Sequence, residues 1–148
     1  MLSIINDKDI FSTEKLMIVC PVNCNGIMGK GLALKFKQLY PEMFQKYKII
    51  CQNKLLDIGK LWIYKNDKYK HQILCFPTKL NWWQPSKLEY ITKGLEKFIN
   101  TYKEKNITSI SFPLLGTGCG GLNNSLILTI MTDYLSKCQN CDIEICNS

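Results

Sequence analysis

The chain reads as an α/β sandwich, because apolar strand-like runs alternate with helical stretches and glycine gathers where a strand gives way to a helix. Seven of the nine glycines fall in two clusters, Asn23-Cys-Asn-Gly-Ile-Met-Gly-Lys-Gly31 and Leu115-Gly-Thr-Gly-Cys-Gly-Gly-Leu122. Glycine has no Cβ, so the main chain can reach positive φ and turn successive N–H groups toward an anion. A helix starting just beyond adds its own unpaired N–H groups and the positive end of its dipole. Ligands of open α/β sheets bind outside the carboxyl ends of the strands, so two such loops predict one phosphorylated ligand gripped from both sides.

Leu2 to Ile5 and Leu16 to Cys20 are short strands; the second has no polar break, as expected of a strand covered on both faces. After the first glycine cluster, Leu32, Phe36, Leu39 and Tyr40 recur at helical spacing until Pro41 breaks the pattern. Leu61 to Tyr64 and Gln72 to Phe76 are further strands, joined as a hairpin through Lys65-Asn-Asp-Lys68, and Pro77 ends the second. Ser86, with Glu89 three residues on, forms a capping box for a helix whose apolar face is Leu88, Ile91, Leu95, Phe98 and Ile99. Ile107 to Phe112 is a strand running through Pro113 into the second cluster. Asn124 or Ser125 then caps a helix carrying Leu126, Ile127, Ile130, Met131, Tyr134 and Leu135. Asp142 to Cys146 supplies a last strand.

With 148 residues and 46% hydrophobic content the chain has material for one core, so residues 1–148 are expected to form a single domain. No apolar run approaches the roughly 20 residues of a membrane span, and acidic residues interrupt the N-terminus where a signal peptide would be apolar. A monomeric, cytoplasmic protein is expected, with no membrane partner. The eight irregularly spaced cysteines are expected to be reduced thiols. Cys138-Gln-Asn-Cys141 with Cys146 falls short of a zinc site, because His71 is the only histidine and no second close cysteine pair completes four ligands. Neither a metal nor a cofactor is expected. The net charge is +7 and all 19 basic residues are lysine, so phosphate has to be held by backbone or lysine rather than by a guanidinium fork. Such a charge suits a polyanionic partner and equally a solvated lysine-rich surface.

Neither cluster carries a common nucleotide signature: G-x-x-x-x-G-K-[ST] is absent, and Gly26-x-x-Gly29-x-Gly31 is not G-x-G-x-x-G. His71 falls in a strand with no serine elbow nearby, which disfavours a serine–histidine–acid triad.

Both glycine clusters, taken with Phe76-Pro-Thr-Lys79 and Ser86-Lys-Leu-Glu-Tyr90, resemble the macrodomain family, and within it the branch of the DarG antitoxins and the terminal ADP-ribose protein glycohydrolase. The resemblance runs through nearly the whole chain in order. It implies a three-layer α/β/α sandwich with a central mixed sheet and an ADP-ribose cleft. It also implies an enzyme that removes ADP-ribose from DNA bases or acidic protein side chains, DNA being favoured.

By that resemblance Asp9 and Ile10 sit beside the adenine, although Lys8 stands where a glycine is usual; Asp9 would serve equally to turn the chain after the first strand. Asn25, Gly26, Ile27, Met28, Gly29, Lys30 and Gly31 line the distal ribose and diphosphate. Leu115, Gly116, Thr117, Gly118, Cys119, Gly120, Gly121 and Leu122 close over the diphosphate from the other side, and Pro77 and Thr78 belong to the same lining. Lys79 matches the branch's catalytic lysine: deprotonated, it attacks or relays a proton at the anomeric carbon; protonated, it stabilises the departing group. Asn23 hydrogen-bonds the distal ribose and holds C1″ in place. Asn123 stands where these enzymes often carry aspartate, so an amide replaces a possible base. Trp82-Trp83 either stack on a nucleobase or pack against the sheet. The leading expectation is a DarG-like ADP-ribosyl hydrolase. An ADP-ribose-1″-phosphate phosphatase, suggested by Asn-Cys-Asn-Gly, and a non-catalytic ADP-ribose reader, suggested by Asn123, compete with it.

Overall fold

The unbroken apolar run near residue 18 becomes an interior strand of a six-stranded sheet. A computed structural model describes residues 1–147. In chain order the elements are β1 (Leu2–Asn6), a 3-10 turn (Ile10–Ser12), β2 (Met17–Asn23), α1 (Gly31–Leu39), α2 (Pro41–Gln52), β3 (Trp62–Tyr64) and β4 (Gln72–Lys79). They are followed by α3 (Leu88–Thr101), β5 (Ser109–Pro113), α4 (Asn124–Leu135) and β6 (Asp142–Asn147). The sheet order is β1-β6-β5-β2-β4-β3, parallel throughout except for β3 against β4. The mixed sheet is therefore as expected.

Alternation along the strands divides the core into two layers. Val19, Leu74 and Phe76 pack beneath Ile91, Leu95 and Phe98 of α3 and Ile127 and Met131 of α4. On the other face Ile18, Cys20, Val22, Ile73 and Cys75 pack against Phe36 of α1 and Met43 and Tyr47 of α2. Gly94 lets α3 lie directly on the sheet, since a Cβ there would overlap the Phe76 ring. The chain is thus an α/β/α sandwich.

Four local expectations are corrected. Pro41 ends α1 but also opens α2, a helix the sequence reading missed; the missing N–H and preset φ of proline suit the first helical position. Pro77 does not end β4, which continues to Lys79. Because β3 reaches only as far as Cys75, Pro77 lies on an edge with no β3 ladder to break. Ser86 is not a cap: α3 starts at Leu88 behind Lys87, while the Ser86 N–H donates to the Gly120 carbonyl at 3.0 Å and its hydroxyl is buried without a partner among the described residues. The cap of α4 is neither Asn124 nor Ser125 but Asn123, whose Oδ1 accepts the Leu126 N–H at 3.0 Å.

Glu144 of β6 ties the N-terminal segment to the sheet. Its buried carboxylate accepts from Lys8 Nζ at 2.9 Å, Thr13 Oγ1 at 2.7 Å and Ser111 Oγ at 2.8 Å. Burial alone would raise this carboxyl, but the three donors outweigh it and hold it down at about 2. Lys8 thus has a structural partner. His71 is also structural, buried with Nε2 2.9 Å from the Thr13 carbonyl oxygen. The eight cysteines are free thiols. Among the described residues no helix is long and apolar enough to cross a membrane, and no group of three His, Cys, Asp or Glu is placed to hold a metal ion.

Candidate functional site

A cleft of about 420 Å³ opens where β2 parts from β5. Those strands pair only at Met17↔Ile110 and Ile18↔Ser111, whereas β2 stays beside β4 as far as Asn23↔Lys79. The carboxyl end of β2 therefore has one open side, at the switch point of the sheet. Both glycine loops leave their strands here, and they approach one another so closely that a Cβ on Gly31 would sit 3.7 Å from Cys119 Sγ.

Asn23 organises the first loop. Its Nδ2 donates to the Ile27 carbonyl at 2.7 Å, and its Oδ1 accepts from the N–H groups of Asn25 at 3.2 Å and Ile27 at 3.3 Å. The Tyr47 hydroxyl, reaching from α2, is 2.7 Å from the Asn23 carbonyl oxygen and 2.8 Å from Oδ1. Burial pushes the Tyr47 phenol well up, which keeps it protonated as a donor. The Cys24 thiol is pushed up to about 12, first by burial and then by Asp57 and Cys51, so it is no thiolate nucleophile at neutral pH.

The loop delivers the chain into α1 without a side-chain cap. The N–H groups of Gly31, Leu32 and Ala33, all cleft-lining residues, have no protein acceptor among the described residues. Gly31 holds φ +55° at this entry, a left-handed value that favours glycine. An uncapped helix N-terminus facing a cleft is an anion site. In the second loop, the Gly121 N–H donates to Gly118 O and the Leu122 N–H to Gly116 O, leaving the N–H groups of Gly118, Cys119 and Gly120 without protein acceptors among the described residues. The helix after this loop is capped at Leu126 by Asn123, and its first residues do not line the cleft. The two strand–loop–helix units thus differ: one contributes loop and helix N-terminus, the other its loop alone.

Lys79, half-buried at the end of β4, projects into the same cleft and donates to the Trp82 carbonyl at 3.2 Å; among the described residues no carboxylate within 4 Å pairs with it. Of the residues expected to bind ligand, Asn23, Ile27, Gly29, Lys30, Gly31, Thr78, Lys79, Gly116, Gly118, Cys119 and Gly120 line the cleft. The rest are outside its lining. Asn25, Gly26 and Met28 form the underside of the first loop, where Gly26 packs on Lys48 and Cys51 of α2. Pro77 lies within β4, Leu115 is wholly buried, Gly121 turns the chain at φ +79°, Leu122 packs on the core, and Thr117 Oγ1 donates to Leu114 O. Asp9 caps the 3-10 turn by accepting the Phe11 N–H, and Ile10 is core, so neither lines the cleft. Sequence reasoning missed Pro21, Val22, Leu32, Ala33 and Leu114 as lining. It also missed Tyr47, for which no local signal exists.

A family model, the Macro domain, matches residues 19–131. The chain belongs to the Macro domain family. This macrodomain is 45% identical over 118 residues to the DNA ADP-ribosyl glycohydrolase of Mycobacterium tuberculosis, covering 78% of this chain and 33% of that protein. The solved macrodomain of Mycobacterium tuberculosis DarG superposes with a TM-score of 0.94 at 35% identity, covering 100% of this chain and 98% of that one. The Thermosipho africanus DarTG structure, solved in complex with ADP-ribose, gives a TM-score of 0.94 at 31% identity over 99% of this chain and 41% of that one. The macrodomain spans about a third of the length of the curated DNA ADP-ribosyl glycohydrolase relatives it matches.

Proposed function

We propose that this macrodomain binds ADP-ribose in the cleft between its two glycine loops and removes it hydrolytically from DNA bases, with Lys79 catalytic and Asn23 positioning. The observation that carries this reading is the placement of a lysine ammonium, without a carboxylate partner among the described residues, in one cleft with two sets of N–H groups that have no protein acceptor there. The N–H groups suit a diphosphate, which in an arginine-free chain needs them all the more. Lys79 supplies a cationic group opposite Asn23 at the strand ends, where it can neutralise charge developing on a departing base as water replaces that base at C1″. Asn23 acts chiefly by holding the loop, and its second Nδ2 hydrogen is free to meet the distal ribose. The relatives named DNA ADP-ribosyl glycohydrolase support DNA over protein as the carrier. Because Asn123 has a helix-capping task outside the cleft lining, its lack of a proton-accepting oxygen is a weak reason to prefer a non-catalytic reader. A monomer acting in the cytoplasm fits this reading.

The test incubates wild-type protein and Lys79→Ala with ADP-ribosylated DNA, acid-linked ADP-ribosyl protein and ADP-ribose-1″-phosphate. Release from DNA that disappears in Lys79→Ala supports the proposal. Release that survives the substitution sinks the mechanism, and turnover of the phosphate ester alone replaces the reading with a phosphatase.

A further inference from the structure

We propose that Trp83, presented beside Trp82, is a stacking platform for a nucleobase flanking the modified one; the inference rests on the glycohydrolase reading above. Trp83 is 62% exposed and Trp82 47%, with ring centroids 5.8 Å apart and planes at 85°. Trp82 lines the cleft and Trp83 stands just outside it. The turn that holds them out is built firmly. The Gln84 N–H donates to Asn81 O at 3.1 Å and Asn81 Nδ2 to Gln84 Oε1 at 2.9 Å, while Leu80 O accepts the Cys24 N–H of the first glycine loop at 3.0 Å. Two indoles kept in water by a fixed turn forgo burial against the sheet, and they offer a rigid π-face at little entropic cost.

Charge says which ligand suits that face. Between the twelve Asp and Glu residues the three longest acid-free runs are 15–41, 68–88 and 105–132. Every cleft-lining residue falls within one of them, as do both indoles, and Lys30 and Lys79 are in the lining itself. A phosphodiester strand entering beside the tryptophans passes lysine and N–H groups without meeting a carboxylate from these segments. A base stacked inside a duplex cannot present its face, so the platform takes an unpaired flanking base and favours single-stranded over duplex carrier.

The experiment compares wild type, Trp83→Ala and Trp83→Phe. It measures affinity for an unmodified single-stranded oligonucleotide and for its duplex at one salt concentration. It also measures hydrolysis of an ADP-ribosylated oligonucleotide and of the corresponding ADP-ribosylated mononucleoside. Trp83→Ala is expected to weaken single-strand binding and raise the oligonucleotide KM about tenfold, the scale of one base–aromatic stack, with kcat and the mononucleoside reaction unchanged. Trp83→Phe restores most of the loss. Equal single-strand affinity in wild type and Trp83→Ala overturns the proposal, and so does an equal loss on oligonucleotide and mononucleoside, which marks a packing defect. Failure of the glycohydrolase reading looks different: wild type then turns over neither ADP-ribosylated substrate, while the unmodified oligonucleotide still reports on the platform.

Discussion

Asn23 and Lys79 are register partners, the last residues of β2 and β4 to face each other, across an irregularity that shifts the pairing after Val22. An irregularity at a strand end re-aims side chains. Two residues 56 positions apart in sequence are thereby brought to the open side of the sheet where the glycine loops converge.

Replacing Lys79 by alanine is expected to lower release of ADP-ribose from DNA at least about 100-fold, the usual scale for losing a group that stabilises developing charge. The affinity for free ADP-ribose, measured by calorimetry, should change less than about threefold, because the backbone N–H groups remain. A parallel collapse of binding would mean that Lys79 holds the ligand rather than assisting its cleavage.

Tyr47→Phe removes the hydroxyl that meets both oxygens of Asn23. A loss of about 1–2 kcal/mol in denaturant unfolding is expected, with ADP-ribose affinity falling severalfold as the first loop loosens. Unchanged affinity would show that the Asn23 side chain holds the loop without help from α2.

Gly118 faces open space, with nothing within 4 Å of a built Cβ, and it lines the cleft. Gly118→Val should leave the melting temperature nearly unchanged yet weaken ADP-ribose binding more than about tenfold through lost space and N–H access, an effect of about 1.4 kcal/mol or more by the usual conversion. Calorimetry and thermal unfolding on the same sample separate these outcomes.

Gly94→Ala should destabilise the protein by about 1–3 kcal/mol through overpacking, because its methyl group would overlap the Phe76 ring. Phe76→Leu in the same chain should recover part of that loss in urea unfolding. A double variant with strictly additive losses would place the strain elsewhere.

Glu144 makes stability fall in acid. Its folded-state carboxyl is held down at about 2, whereas an unfolded glutamate titrates near ~4.3. The stabilisation is thus present in full above that unfolded value and is lost as pH drops from there toward about 2. Urea unfolding between those limits should show wild type losing more stability than Glu144→Gln, which cannot take up the proton.

The four motifs and the strand–helix alternation were readable because each depends on nearby residues: apolar runs, glycine spacing and proline position. Lys79 and both loops were found in the same way. Tyr47 was not, since it touches Asn23 from a helix that the sequence pattern hid behind Pro41. Asn123 was read through the chemistry its neighbours in the family perform, yet the chain uses it as a cap, a role legible in principle from its place before an apolar helix.

Composition and spacing alone determined that this chain is an α/β sandwich and that it has no guanidinium to offer an anion, which leaves backbone and lysine in its two glycine loops as the available donors. Tertiary structure decided which members of those loops face the cleft and which do not, because a loop has two sides and its sequence does not say which is buried. It also set Lys79 opposite Asn23 and left α1 open while α4 was capped. Each of these follows from strand register and from where β2 parts from β5, contacts between residues far apart in sequence.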